Sequence, residues 1–271
     1  MLADATALLA VERRCLGDSP YTPEETLTIL RRPEHHAYLA LAAGRPVGFC
    51  SSFETPTDAG LRVELDMLGV HPDYRGRGIA TSLLRAAMAG ARARGIRLFR
   101  GAVAAGNVPS QRAFETAGLR RGALPSDLTV YQLQGDTPLP YLPEGWAARV
   151  IDEATAEAPV VPAPRFGASG AGREVLQIQD EGGRTVALAE AQQVHTLSYR
   201  GLWLERWWAA SPDAHLALAL GLVERARGWG LDEVGYLAPP RCDTPEDEAV
   251  TWVRAGYRVT GRYYVYTAGE S

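Results

Sequence analysis

The sequence predicts an α/β (α+β) protein built from two domains. Its 271 residues exceed the length of most single domains. Helical and strand-like spacings of apolar residues alternate along both halves of the chain. The second half also repeats the order of the first, so we expect a duplicated domain.

Apolar periodicity and turn residues define the elements of the first half. Thr22, Pro23, Glu24 and Glu25 form an N-cap followed by Pro and acidic residues, which indicates the start of a helix. The expected order is helix 3–16, helix 23–32, strands 37–42, 46–53 and 62–70, helix 81–94, strand 96–103, helix 111–117 and strand 128–133.

A change of composition marks the domain boundary. Residues 134–145 hold three prolines and indicate a linker, and all six tryptophans follow it. We therefore expect a first domain at 1–135, a linker at 136–144 and a second domain at 145–271.

The second half repeats the pattern with a short deletion. Its expected elements are strands 146–151, 174–179, 185–191 and 197–207, helix 214–227, strand 233–237 and helix 245–254. Ala255-Gly256-Tyr257-Arg258 matches Ala117-Gly118-Leu119-Arg120, and Arg225-Ala226-Arg227-Gly228 matches Arg92-Ala93-Arg94-Gly95.

A basic glycine loop, Arg75-Gly76-Arg77-Gly78, joins the strand at 62–70 to the following helix. Glycines let the backbone approach a ligand, and the first amides of a helix attract anions. The two arginines add donors that suit phosphate oxygens. A pyrophosphate is therefore the expected ligand, and a purely structural turn is the alternative.

Two common phosphate-binding motifs do not fit this loop. A P-loop requires a Lys after its last glycine, whereas Ile79 and Ala80 follow Gly78. A dinucleotide-binding motif requires an acidic residue about 20 residues further on, and the next one after Thr81 is Glu115.

Arg75 to Ala80, spelling Arg-x-x-Gly-x-Ala, resembles the acetyl-CoA loop of the GCN5-related N-acetyltransferases (GNAT). Asn107-Val108-Pro109-Ser110 before a helix that ends at Gly118-Leu119 continues the resemblance. It implies two tandem domains, each a mixed, mostly antiparallel twisted sheet flanked by helices. It also implies transfer of an acetyl group from acetyl-CoA to a primary amine by direct attack.

The resemblance further implies which residues hold the cofactor. Leu68, Gly69 and Val70 would bind the pantetheine arm and the acetyl carbonyl. Asn107 and Ser110 would hydrogen-bond the cofactor, or else cap their helix. The complete expected cofactor site is Leu68, Gly69, Val70, Arg75, Gly76, Arg77, Gly78, Ile79, Ala80, Thr81, Asn107, Ser110 and Phe114.

The strand before the loop carries two candidates for a general base, Glu64 and Asp66. An alkyl amine has a pKa of about 10, so a base is needed to free its lone pair at neutral pH. Strand alternation places both carboxylates on the side of Leu68 and Val70, apart from any bulge. The resemblance favours Glu64, with Asp66 as the alternative.

The sequence departs from the family pattern at the proton donor for the leaving thiolate. The position that the family gives to Tyr is Phe114, counted from Asn107. Phe has no proton to donate, so water, Tyr131 or unassisted departure would replace it.

The second copy lacks the loop. Only Ala209-Ala210-Ser211-Pro212 separates Trp208 from the next helix, without glycine or arginine. We expect no acetyl-CoA site there. Trp203, Trp207 and Trp208 would pack a second core or, alternatively, line a substrate wall.

Composition limits the remaining possibilities. Residues 1–140 carry a net charge of +2 and residues 141–271 one of −6, from 16 Arg against 14 acidic and 12 Arg against 18 acidic residues. The acidic half would attract a cationic acceptor or serve only solvation. Without basic aromatic runs, long apolar segments or clustered Cys and His, we expect no nucleic acid, membrane or metal partner and a cytoplasmic location.

Two functions remain open at this point. One is an N-acetyltransferase acting on a small-molecule or peptide amine, as a monomer with pseudo-dimeric domains or as a homodimer. The other is a non-catalytic acetyl-CoA-binding or sensing module, which Phe114 and the altered second copy would favour.

Overall fold

The structure of the protein is a computed structural model. The structure describes residues 2–17, 19, 21–133, 142–155, 165–167, 172–238 and 246–269. Most of the expected linker, the first residue of the expected helix 245–254 and Cys242 lie outside these residues.

Six α-helices and fourteen strands occur among the described residues. The helices are α1 Leu2–Leu16, α2 Pro23–Leu30, α3 Ile79–Ala93, α4 Val108–Ala117, α5 Pro212–Gly228 and α6 Glu246–Arg254. The strands are β1 His35–Ala42, β2 Arg45–Thr57, β3 Gly60–Val70, β4 Leu98–Ala104, β5 Arg120–Arg121, β6 Ser126–Gln132, β7 Ala147–Ile151, β8 Glu153–Thr155, β9 Arg165–Gly167, β10 Arg173–Gln179, β11 Thr185–His195, β12 Arg200–Ala209, β13 Glu233–Ala238 and β14 Arg258–Ala268.

The chain forms two compact α/β units, which confirms the predicted fold class. Unit 1 comprises Met1–Pro125, His195–Ser198 and Tyr263–Ser271. Unit 2 comprises Ser126–Val194 and Tyr199–Arg262. In both units a mixed, mostly antiparallel sheet is flanked by helices.

The sheet of unit 1 runs in the order β1, β2, β3, β4 and the last part of β14. β1, β2 and β3 are antiparallel neighbours, β3 and β4 are parallel, and β4 is antiparallel to Tyr263–Ala268 of β14. A parallel pair needs a crossover connection, and here that connection contains the glycine loop and α3.

Each face of this sheet packs against its own pair of helices. On one face, α3 and α4 bury apolar side chains such as Leu84 and Met88 against Val63 and Phe99. On the other face, Leu8 of α1 and Ile29 of α2 pack with Phe49 of β2. The predicted cap of α2 is confirmed, because Thr22 and Glu25 form a reciprocal capping box.

Gly69 is a packing position on the α1 face of β3. A Cβ at this residue would lie 2.5 Å from the Phe49 ring and 2.9 Å from the Cys15 Cβ. The missing side chain thus makes room for Phe49 and Cys15.

We expect Gly69→Ala to lower the free energy of unfolding by about 1–3 kcal/mol, because buried groups must shift to accept the methyl. Thermal or urea unfolding of the variant measures this loss. Gly106→Ala is the control, since a Cβ there meets nothing within 4 Å. Equal stability of both variants would contradict the packing role.

The sheet of unit 2 runs β6, β13, β12, β11, β10, β7, and β8 pairs with β9 in a separate hairpin. β12 and β13 are parallel, while β13 with β6 and β10 with β11 and β7 are antiparallel. α5 and α6 pack on this sheet.

Aromatic side chains fill the core of unit 2. Trp252 is 1% exposed, and its ring centroid lies 4.6 Å from Tyr236 and 5.6 Å from Trp207. Trp208 packs against Val175 and Leu188 in a smaller cluster. These contacts match the expectation that Trp207 and Trp208 build a core.

The closing strand of each unit comes from the other half of the sequence. The strand expected at 128–133 to complete the first domain is β6, which pairs with β13 in unit 2. Unit 1 is completed instead by the end of β14. The compact units therefore do not follow the expected division at residues 136–144.

Candidate active site

The glycine loop between β3 and α3 is exposed, and two left-handed residues shape it. Gly76 and Gly78 both have φ of 75°, which residues with a side chain rarely adopt. A Cβ at either position would meet nothing within 4 Å. The backbone here is therefore accessible to a ligand.

The N-cap residue of α3 has no side chain that could cap the amides of the first turn. Gly78 is the N-cap and makes no side-chain hydrogen bond to the first turn. The first turn also contains no acidic residue. The N–H groups of Ile79, Ala80 and Thr81 have no partner within the helix and lie at the positive end of its dipole. They fit a phosphate group.

Arg75 and Arg77 both shape this loop. Arg75 Nε donates to the Val70 carbonyl at 3.1 Å, and Arg77 Nη2 donates to the Asp73 carbonyl at 3.0 Å. A guanidinium carries five N–H donors, so each side chain retains donors for an anion. A pyrophosphate thus fits the amides and arginines that the sequence singled out.

β3 and β4 are paired only at their beginnings. The parallel register joins Arg62–Glu64 to Leu98–Arg100, whereas β3 continues to Val70. Leu68, Gly69 and Val70 lie beyond the last pair, between it and the glycine loop. Their backbone therefore lies between the glycine loop and the paired part of β3 and β4. The resemblance implies that the pantetheine arm would lie along this segment.

Asn107 has the structural role that was the alternative to cofactor binding. The Ser110 amide donates to Asn107 Oδ1 at 3.2 Å, so Asn107 caps α4. The position of Phe114 is interior: it is 4% exposed, and its ring centroid lies 5.3 Å from that of Tyr266.

Tyr131 belongs to unit 2, where its ring packs against Tyr257 at 5.4 Å.

A bulge in β3 separates the two candidate bases from Leu68. Ser52 of β2 pairs with Leu65, but Cys50 pairs with Leu68, so one extra residue is inserted at Asp66–Met67. Leu68 consequently joins the α3 face, and Met67 packs on the α1 face. The expectation that Asp66 and Leu68 share a side is wrong, because the bulge reverses the alternation.

Glu64 is held by two guanidinium groups. Its Oε1 lies 2.5 Å from Arg62 Nε, and its Oε2 lies 2.8 Å from Arg100 Nε. Both carboxylate oxygens are therefore engaged, and Glu64 is 8% exposed. This geometry is that of an ion-paired structural residue rather than a base with a free oxygen.

Asp66 has the properties expected of a general base. It is half-buried on the α1 face of β3. Burial raises the pKa of Asp66 to about 6, although hydrogen bonds from Thr196, Ser198 and Ser51 act in the opposite direction. A carboxylate with such a pKa is ionised at neutral pH and still able to accept a proton.

Sequence reasoning missed the residues that surround Asp66. Glu12 of α1 is 3% exposed, and its pKa is raised, first by burial and also by the nearby Asp66. Its signal in the sequence is an acidic residue on the apolar helix face of Ala5 and Leu8. Thr196 and Ser198 lie in a short polar turn between two strands and carry no comparable signal.

In unit 2 a side chain caps the start of α5, whereas in unit 1 the glycine loop leaves the start of α3 without a side-chain cap. Ser211 caps α5 by accepting a hydrogen bond from the Ala214 amide at 3.1 Å. Pro212 has no N–H, and Asp213 adds negative charge to the first turn. These three residues make the start of α5 unsuitable for a pyrophosphate.

Neither a metal cluster nor a membrane-spanning helix occurs among the described residues. They contain no group of three or more His, Cys, Asp or Glu residues arranged to hold a metal ion. None of the described helices combines the length and apolar composition required to cross a lipid bilayer.

Comparison with known proteins places these features in a family. Residues 5–119 match the family model described as the acetyltransferase (GNAT) family. This range contains β3, the glycine loop, α3 and α4. No curated protein matches the chain in sequence.

Solved structures resemble the chain over nearly its full length. A GCN5-related N-acetyltransferase from Sphaerobacter thermophilus is 19% identical with a TM-score of 0.62, covering 99% of this chain and 93% of its own. A tandem GNAT protein from the clavulanic acid biosynthesis pathway is 15% identical with a TM-score of 0.53, covering 99% and 96%.

A third structure contains a similar region within a longer protein. The GCN5-related glucosamine N-acetyltransferase region of a fungal multi-domain β-N-acetylglucosaminidase is 16% identical with a TM-score of 0.61, covering 97% of this chain and 37% of its own. Residues 5–119 therefore match the acetyltransferase (GNAT) family, and the chain has the fold of solved GNAT proteins, including a tandem form.

Proposed function

We propose that this protein is an acetyl-CoA-dependent N-acetyltransferase that acetylates a primary amine of a small molecule, peptide or protein. The observation that carries the proposal is that one strand, β3, ends in the open glycine loop and also bears Asp66. The loop supports an anionic cofactor site, and Asp66 supports proton removal from the acceptor. Both features lie in unit 1.

Acetyl-CoA would supply the activated acetyl group. The pyrophosphate would lie at Gly76, Gly78 and the first amides of α3, with Arg75 and Arg77 beside it. Asp66, directly or through a water molecule, would take the proton that the amine loses as its nitrogen attacks. Because both oxygens of Glu64 are engaged by Arg62 and Arg100, we assign the base to Asp66 rather than to Glu64.

Unit 2 is proposed to bind no acetyl-CoA. At the start of α5, Ser211 occupies the Ala214 amide, Pro212 has no N–H and Asp213 adds negative charge, so this helix start disfavours a phosphate.

We expect turnover to fall as the pH decreases through about 6, because protonated Asp66 cannot accept a proton. This decrease is measured by following the release of CoA from acetyl-CoA over a pH series, with a panel of primary amines as acceptors. A rate that stays constant from pH 7 to pH 5 would contradict the assignment of Asp66.

A non-catalytic acetyl-CoA sensor is the second candidate, favoured by Phe114 at the position where the family pattern has Tyr and by the altered helix start of unit 2. Phe cannot protonate the leaving thiolate, although the thiol pKa of about 8–9 permits unassisted departure. Acetyl-CoA binding without CoA release over the whole amine panel would favour the sensor.

A further inference from the structure

Three hydroxyl groups hydrogen-bond the Asp66 carboxylate: those of Ser51, Thr196 and Ser198. Ser198 Oγ donates to Oδ1 at 3.2 Å, and Ser51 Oγ donates to Oδ2 at 3.5 Å. The two oxygens thus have donors from different segments. This arrangement fixes the plane of the carboxylate.

Thr196 and Ser198 are also hydrogen-bonded to each other. The Ser198 amide donates to Thr196 Oγ1 at 3.2 Å, and the two hydroxyl oxygens are 3.4 Å apart. Ser198 is separated from Asp66 by 132 positions in the sequence. The pair therefore forms a local turn that presents two hydroxyls to a distant strand.

The turn His195–Ser198 is anchored in unit 1. Leu197 is 2% exposed and packs with Leu8, Ile29 and Phe49. Arg32 Nη1 donates to the His195 carbonyl at 3.4 Å. Packing on both sides of the hydroxyls holds them at Asp66.

Two acidic side chains act on Asp66. Glu12 faces it from α1, and Glu64 lies on the same strand; the Cys50 thiol is the titratable group from β2. A neighbouring carboxylate disfavours ionisation. Hydroxyl donors are therefore the groups that favour the charged carboxylate at this position.

We propose that Thr196 and Ser198 are positioning residues that orient the Asp66 carboxylate for proton transfer from the acceptor amine. The inference rests on the proposed function of Asp66. According to this inference, a turn in the second half of the sequence contributes to catalysis, although it lies outside residues 5–119, which match the GNAT family. Neither residue is required to touch the substrate.

The test compares the full-length wild type with Ser198→Ala, Thr196→Val and Ser198→Thr. The carboxyl pKa of Asp66 is measured by carbon-13 NMR, and kcat is measured against pH. Ser198→Ala is expected to raise this pKa by about one unit, because a hydrogen bond to a charged group is lost. The acid limb of kcat should move upward equally, kcat at neutral pH should fall about 10-fold, and acetyl-CoA affinity should stay unchanged.

Two variants separate positioning from a structural effect. Ser198→Thr keeps the hydroxyl and should restore the wild-type profile. Ser52→Ala removes a hydroxyl that bonds the His36 carbonyl instead of Asp66, so stability changes without a shift of the Asp66 pKa. If Ser198→Ala does not fold, Thr196→Val provides the same comparison.

An unchanged Asp66 pKa and kcat profile in both Ser198→Ala and Thr196→Val would overturn the positioning role, even in an active enzyme. Absence of CoA release by the wild type with every amine would instead overturn the proposed function, and the catalytic role with it. The NMR shift would then still report whether the hydroxyls bond Asp66.

Discussion

Gly78→Glu is expected to weaken acetyl-CoA binding by at least about 100-fold. Gly78 is the left-handed N-cap of α3, and its Cβ direction is open. A glutamate side chain would place negative charge beside the amides that we assign to the pyrophosphate. Like-charge repulsion and backbone strain of about 1–2 kcal/mol act together there. Isothermal titration calorimetry of both proteins measures the change.

Gly95→Glu is the matched control for this substitution. Gly95 follows the other end of α3, has a φ of 87° and also has open space in the Cβ direction. It therefore introduces the same charge and a similar backbone strain away from the anion site. Equal acetyl-CoA affinity of the two variants would contradict the assignment of the loop.

Asp66→Asn is expected to lower kcat by about 10²–10⁴-fold, the usual contribution of a general base. Asn has nearly the same shape but cannot accept a proton from an amine. Acetyl-CoA affinity should remain that of the wild type, because Asp66 lies on the α1 face of β3 whereas the loop begins after Val70. Steady-state kinetics and calorimetry separate the two effects.

Glu64→Gln distinguishes the two carboxylates of β3. It removes the charge that pairs with Arg62 and Arg100, so its main effect should be a lower midpoint of thermal unfolding. Its acid limb should remain near pH 6. A larger loss of kcat in Glu64→Gln than in Asp66→Asn would return the base to Glu64.

Most elements of the fold follow from local sequence patterns. The capping box at Thr22 and the apolar spacing of α1 and α3 place those helices to within a few residues. The partner of a strand cannot be predicted in this way, because the alternation of apolar and polar residues in β6 does not indicate which strand it pairs with. The exchange of β6 and the end of β14 between the units therefore could not be predicted from the first half alone.

In the candidate site, features formed by neighbouring residues could be predicted from the sequence, whereas contacts between residues far apart in the sequence could not. The glycine loop is contiguous, so its residue types and spacing reveal it directly. The bulge at Asp66–Met67 is set by pairing with β2, and the hydroxyls at Asp66 come from residue 51 and the distant turn 196–198. Such contacts arise only after folding, so strand alternation left Glu64 and Asp66 equivalent and only the family resemblance favoured Glu64.

Few residues distinguish the helix starts of the two units. α3 begins with an uncapped glycine loop, whereas α5 begins with Ser211, Pro212 and Asp213. The helices are otherwise placed alike, each following a strand that pairs with its parallel neighbour over only three residues. The chemistry of the helix start thus separates a candidate phosphate site from a structural element.

The most direct test of the central claim is calorimetric titration of the full-length protein with acetyl-CoA. Our account predicts one binding site per chain, because only unit 1 has an open loop with two arginines at the start of its crossover helix. Absence of binding would contradict the assignment of the loop. Two sites per chain would contradict the proposal that unit 2 binds no acetyl-CoA.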